Sequence, residues 1–313
     1  MAGVRISQFE RRHVGLAAAL TARRIAAFRE HFPLVPERWT APSSISELLG
    51  PLVEDSPALV AFGGGELVGY MTAKCFEWSQ GRWAFSPEWA NAAVGPDAGR
   101  IRQDLYAALA EQWVADDRHA HFVSLLPDDA PGREAMSWLG FGVTNVDGLR
   151  DLEPLDPVAQ RGMELIRAGP ADLDAVASLQ DALREHLAAT PLFMRFPATD
   201  HEKLAGQLAD PATATLLATD DKGPLAFIRI GPHSTDASTI IRDEGTASIT
   251  GAFTRADRRG QGVARLLLDA ARAGARESEY VRCAVDFESA NLLASRFWPR
   301  HFGMVGITLG RRL

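Results

Sequence analysis

The sequence predicts an α/β (α+β) protein built from two similar halves, each a central sheet flanked by helices. Three observations point there. Short runs with period-two apolar alternation are interleaved with longer runs whose apolar residues recur at helical spacing. Two strand pairs are joined by turn residues, Gly63, Gly64 and Gly65 in one case and Asp220 to Gly223 in the other. The order strand, helix, helix, hairpin, strand, helix, strand, helix, strand occurs twice, at a period of about 155 residues.

In chain order, VRISQF (4–9) reads as a strand and Gly15 to His31 as a helix, and SSISELLGPLVED (43–55) as a second helix opened by a serine cap. ALVAFGGGELVGYMTAKCF (58–76) reads as a hairpin and RWAFSPEWANAAV (82–94) as a fourth strand. A helix over 99–117, a strand over 119–127, and a helix running into a last strand over 131–143 complete the half. LEPLDPVAQRG carries two prolines and no periodicity, so it reads as a linker. The expected domains are 1–153 and 163–313, with 154–162 between them.

The second half repeats the plan. MELIRAG is a strand, and Ala171, Leu173, Val176, Leu179 and Leu183 give the next helix its apolar face. A helix over Thr199–Leu208 precedes the hairpin ATLLATDDKGPLAFIRIG. TASITGAFT then alternates as a strand, a basic glycine-containing loop comes next, and a helix runs from about Val263, with Val263, Leu266, Leu267 and Ala270 apolar. YVRCAVDF, NLLASRFW and HFGMVGITLG close the chain.

Composition narrows the function classes. With 46% hydrophobic and 23% charged residues the chain is an ordinary globular one, and a net charge of -7 argues against a dedicated nucleic-acid binder. No apolar run is long enough to span a membrane. HVGLAAAL lacks a cleavage site and reads as part of a first amphipathic helix, so a cytoplasmic location is expected. Cys75 and Cys283 sit in apolar runs of different halves and read as core thiols, not as a disulfide or metal site.

The loop from Arg258 to Ala264 carries the chemistry. Gly260 and Gly262 let the backbone take unusual dihedrals and approach a ligand closely. A helix starting at Val263 presents unpaired amides and the positive end of its dipole. Together they make a cradle for phosphate, to which Arg258 and Arg259 add charge.

In RGQGVA the spacing of Arg259, Gly262 and Ala264 resembles the acyl-CoA pyrophosphate loop of the GNAT superfamily of N-acetyltransferases. The element order after it is similar to that family's later half, with Asn291, Ala294, Phe297 and Trp298 at the places where an Asn, an Ala and an aromatic follow the fifth strand. The resemblance implies two tandem domains, each with a mixed, mostly antiparallel sheet. The first half has VGPDAGRIRQ at the corresponding loop, with no match to RGQGVA, and so resembles a degenerate domain. A dinucleotide-binding fingerprint with Asp286 as the ribose acid competes. Against it stand the long loop before Gly260, Arg265 in place of a third glycine, and too little chain for further βα units.

The resemblance implies acetyl-CoA as co-substrate and a small-molecule amine as acceptor, with direct attack in a ternary complex. Backbone amides near Ala252, Phe253 and Thr254 would hold the pantetheine arm and polarise the thioester carbonyl. Arg258, Arg259, Gly260, Gln261, Gly262, Val263 and Ala264 would take the pyrophosphate, and Asn291 the pantetheine or a helix cap. The amine needs a base, for which Glu244, Asp286 and Glu288 are candidates, each equally readable as a surface or capping acid. His301 and His233 are further options. At the family's usual tyrosine stands Trp298, a donor that does not ionise, which leaves open a non-catalytic acyl-CoA sensor or interaction module. Neither nucleic acid nor membrane is an expected partner; a homodimer is compatible with the sequence.

Overall fold

A computed structural model describes residues 3–78, 81–159, 162–189, 191–232 and 237–313. The first half runs β1 (Arg5–Gln8), α1 (Val14–His31), α2 (Pro42–Asp55), β2 (Ala58–Gly63), β3 (Glu66–Thr72), β4 (Lys74–Trp78), β5 (Gly81–Ser86), β6 (Asn91–Ala93), α3 (Ala98–Ala115), β7 (Ala120–Leu125), α4 (Ala130–Trp138) and β8 (Gly142–Asp151). The second runs β9 (Glu164–Arg167), α5 (Leu173–Ala188), α6 (His201–Ala209), β10 (Ala214–Asp220), β11 (Gly223–Pro232), β12 (Thr246–Thr254), α7 (Val263–Glu277), β13 (Arg282–Glu288), α8 (Ala294–Phe297) and β14 (Gly303–Arg312). The repeated element order is therefore real, with one extra hairpin, β4–β5, in the first half.

Two expectations change locally. The run 58–76 is not one hairpin: β3 ends at Thr72, whose amide bonds the Ala90 carbonyl, and after buried Ala73 the chain starts β4, which pairs antiparallel with β5. Helix α2 has no serine cap; Pro42 occupies its first turn after Ala41, where a missing N–H costs nothing.

The chain forms two compact units, Met1–Asp147 with Ser238–Ile241 and Gly303–Leu313, and Gly148–Ala237 with Arg242–Phe302. The last strand thus belongs to the first unit, which cutting the chain at the linker does not anticipate. There β14 pairs antiparallel with β7, from Ile307 opposite Leu125 to Arg312 opposite Ala120. The strand orders in this unit are β1-β2-β3-β6 and β4-β5-β7-β14-β8. Its core is made by Ile101, Leu105, Leu109 and Trp113 of α3, on one stripe at helical spacing, with Met71, Val123 and Leu309. The short piece around Ser238 turns two amides onto buried acids: Ser238 donates to Asp147 at 2.8 Å and Ile240 to Glu88 at 2.9 Å.

In the second unit the order is β13-β12-β11-β10-β9, antiparallel throughout except for the parallel pair β12–β13. Helix α5 buries Val176, Ala177 and Leu179 against Leu217 of β10 and Phe227 of β11. Helix α7 buries Val263, Leu267, Leu268, Ala271 and Ala275, a stripe rotated by about one residue from the one read in the sequence. Arg272 is also buried there, held by Asp269 at 2.8 Å and by the Leu152 carbonyl at 2.7 Å. Among the described residues no helix is long and apolar enough to cross a membrane.

Candidate active site

The site begins where two parallel strands part. β12 and β13 pair from Thr246 opposite Arg282 to Ile249 opposite Val285, and the pairing goes no further. At that point β12 takes a bulge against β11: Arg229 faces Gly251 while Ile230 faces Ile249, so Thr250 is the extra residue. A bulge bends its strand and re-aims the residues beyond it. Ala252, Phe253 and Thr254 are swung along one wall of a cavity of about 540 Å³.

The mouth of the cavity is the loop before α7. Gly262 adopts the left-handed conformation (φ 85°, ψ -1°) and caps α7 without any side-chain bond. A residue with a β-carbon reaches this region at a cost, so glycine is required by the backbone path. The amides of Val263, Ala264 and Arg265 find no acceptor among the described residues, while Leu266 bonds back to the Gly262 carbonyl at 3.0 Å. A helix start left in this state has the donors and the dipole end that suit an anion.

Charge agrees with geometry. Arg258, Arg259, Arg265, Arg296 and Arg300 line the cavity, and no carboxylate is among its described lining residues. In a chain with net charge -7 that is a local reversal of sign, and it favours an anionic ligand. Two of these arginines are tethered next to β12, besides Arg265, which is held by Asp156. Arg258 pairs with Asp220, and Arg259 donates to the Thr254 carbonyl at 3.1 Å with its guanidinium over the Phe253 ring.

Most of the residues expected at a ligand site meet here: Ala252, Phe253, Thr254, Arg258, Arg259, Gly260, Gly262, Val263, Ala264 and Asn291 all line the cavity. Gln261 instead lines an adjoining polar cleft with Asp220, Asp221 and Lys222. Asn291 accepts from the Ala294 amide at 3.3 Å, so its side chain caps the short α8. Trp298 also lines the cavity and is buried, packed edge-on against Phe297 and Phe302.

The three acids are placed differently. Asp286 and Glu288 lie on β13 beyond its last pair with β12, alternating with buried Phe287, and neither is in the cavity lining. Glu244 is exposed in the turn before β12, at the far end of that strand from Ala252. Of the histidines, His301 lines the cavity; His233 lies outside the described residues. Burial, and then Arg150, Arg265 and Arg300, push the His301 ring below its ordinary value, so at pH 7 it is a neutral base.

His186 was not singled out from the sequence. It lies in the last turn of α5, lines the cavity beside Phe253, and stands 3.5 Å from Asn291 Oδ1. Its signal was available: Leu179, Leu183 and His186 share one helical face. The residues before β9 were equally unannounced. Leu155 donates to Asp269 at 3.0 Å, the Asp156 carbonyl accepts from Arg265, and Val158 packs on Gly262, so the proline-containing segment lies along α7.

The equivalent strands of the first unit are arranged differently. β6 and β7 lie in separate sheets, and Asn91 bridges them by donating to the Ser124 carbonyl at 3.1 Å. Behind it, fully buried Arg102 bonds Asn91 and pairs with Asp129 at 2.5 Å, and Arg24 joins the same carboxylate at 2.7 Å. Among the described residues no group of three His, Cys, Asp or Glu could hold a metal ion.

Residues 180–304 match the model of the Acetyltransferase (GNAT) family. Over 99% of this chain and 95% of the other, the fold is similar to a GCN5-related N-acetyltransferase from Sphaerobacter thermophilus, with 15% identity and a TM-score of 0.60. It is also similar, at 15% identity and a TM-score of 0.53, to a GCN5-related glucosamine N-acetyltransferase region of a fungal multi-domain β-N-acetylglucosaminidase, covering 99% of this chain and 38% of that one. A tandem GNAT protein from the clavulanic acid pathway shows 13% identity and a TM-score of 0.49 over 99% of this chain and 98% of that one. No curated protein matches the sequence.

Proposed function

We propose that the second unit transfers an acetyl group from acetyl-CoA to a primary amine of a small molecule, by direct attack with both substrates bound. The observation that carries this reading is the α7 start: a left-handed glycine cap and three amides without acceptors, opening onto an arginine-lined cavity that reaches the β12–β13 splay. These residues fit a CoA diphosphate, which needs amide donors and positive charge at close range.

When bound, acetyl-CoA supplies the thioester that is cleaved. The chain supplies the rest. Val263, Ala264 and Arg265 amides hold the diphosphate, with Arg259 and Arg300 offsetting its charge. The β12 wall from Ala252 to Thr254 lies along the splay, where a backbone amide can stabilise the oxyanion as the amine attacks the carbonyl. His301 or His186, both in the cavity, takes the amine proton in place of the exposed Glu244; Asp286 and Glu288 at the splay remain alternatives that mutation separates. No side-chain acid is required at Trp298, because a thiol with an ordinary pKa of about 8.5 is a tolerable leaving group.

Thiol release from acetyl-CoA in the presence of a panel of amines tests the proposal. Turnover with any amine supports it, whereas tight binding without turnover across the panel favours a sensor that uses the same cavity.

A further inference from the structure

We infer that Arg229 reads a carboxylate on one of the two substrates, so that the molecules handled here carry an acid group close to the reacting centre. This rests on the acyl-transfer reading only in deciding which molecule bears the acid. Arg229 lies in β11 and is 7% exposed. No carboxylate of the described residues pairs with it. Its one side-chain partner is neutral: with the amide oxygen of Gln180 turned toward it, that oxygen accepts from both terminal nitrogens. Nε has no partner among the described residues. Arginine stays charged in proteins, so this is a buried full charge without a counterion, an arrangement that is costly unless something else supplies the negative charge.

Arg229 lies beside the cavity without being one of its described lining residues. Arg229 stands opposite Gly251 at the bulge, immediately before the Ala252–Thr254 wall of the cavity. A β-carbon at Gly251 would lie 3.4 Å from Phe227 Cε2 and 3.9 Å from Arg229 Nη1, so the glycine leaves room for both side chains on that face of β12. Phe227, whose ring lies 5.9 Å from the guanidinium, itself lines the cavity. With Gln180 taking one N–H from each terminal nitrogen, Nε–H and a remaining terminal N–H are left as the side-on fork that matches a carboxylate. Burial alone moves this group, lowering its pKa, which agrees with a site that lacks its anion.

The acid can sit on the amine, as in an amino acid, or at the far end of a dicarboxylic acyl chain. Both are tested on the full chain in the presence of CoA. Melting is followed with N-acetylglycine, which carries product amide and carboxylate together, and with N-acetylglycinamide, its neutral isostere. Affinities for acetyl-CoA and succinyl-CoA are measured in parallel. Wild type, Arg229→Met and Arg229→Gln are compared. Expected is a higher Tm with N-acetylglycine but not its amide, with affinity reduced roughly tenfold in Arg229→Met and CoA affinity unchanged. If instead succinyl-CoA outbinds acetyl-CoA in wild type and that preference vanishes in the variants, the acid is on the acyl chain and Arg229 still reads it. Wild type that binds CoA yet shows neither preference overturns this inference alone, whether or not the variants fold. A preference that survives in a folded variant overturns it too. Failure of wild type to bind CoA overturns the acyl-CoA reading and leaves the carboxylate comparison standing by itself.

Discussion

A β-carbon on Gly262 would lie 2.5 Å from Cγ1 of Val158. The helix cap at the mouth of the cavity and the segment leading into β9 are therefore in direct contact, and only a glycine fits between them. Gly262→Ala meets two penalties, a left-handed backbone worth about 1–2 kcal/mol and a clash that displaces Val158. We expect a lower Tm and a weaker anion site in the same variant. Combining it with Val158→Ala should recover part of the stability and none of the conformational strain, which paired melting curves would show.

Acid should undock this segment. Burial alone would raise the Asp269 carboxyl, but the Leu155 amide and Arg272 outweigh it and hold the group below its ordinary value. A depressed carboxylate stabilises the fold fully above the unfolded value, about pH 4, and the contribution is lost as the pH falls through the lower folded value. Asp269→Asn should thus flatten the acid limb of a Tm-against-pH curve below about pH 4. A curve identical to wild type would remove Asp269 from the account.

His301 should titrate below about 6.5, with the neutral ring favoured in the folded state. Its contribution to stability is complete above that unfolded value and is lost as the pH falls from there toward the folded one. An imidazole NMR titration measures the midpoint. Adding CoA should raise it, because a diphosphate offsets the charge of Arg265 and Arg300. A midpoint unmoved by saturating CoA would place the diphosphate elsewhere.

Both thiols should be slow toward dithiobis(nitrobenzoate) in the native state. Cys283 is fully buried and burial pushes it up to about 12, while half-buried Cys75 is also raised, chiefly by burial. Unfolding should release both. Rapid reaction of one thiol in native protein would contradict the packing of β4 or β13.

Much of this was legible in the sequence because its signals are local. Period and turn chemistry mark the strands and helices, and a glycine before an amphipathic helix marks the phosphate cradle. The features that escaped depend on distant partners. The departure of β14 into the first unit is decided by its pairing with β7, and nothing within HFGMVGITLG specifies a partner. The run 58–76 contains no turn residue at Ala73, so its division into two strands is set by β6 and β5. Glu244 looked like a base from its place before a strand, yet strand length carries it away from the cavity. His186, by contrast, shares a helical face with Leu183 and was readable. Arg229 in LAFIRIG carries no local signal, since its burial without an acid depends on the strands and helix packed around it.

The most direct measurement is calorimetric titration of acetyl-CoA and CoA into wild type and into Arg259→Glu and Gly262→Glu. One site per chain in wild type, with binding weakened more than about tenfold in both variants, is expected if the α7 start holds the diphosphate. No binding, or binding that is unchanged when an acid replaces Gly262, would contradict the central claim that this cavity is an acyl-CoA site.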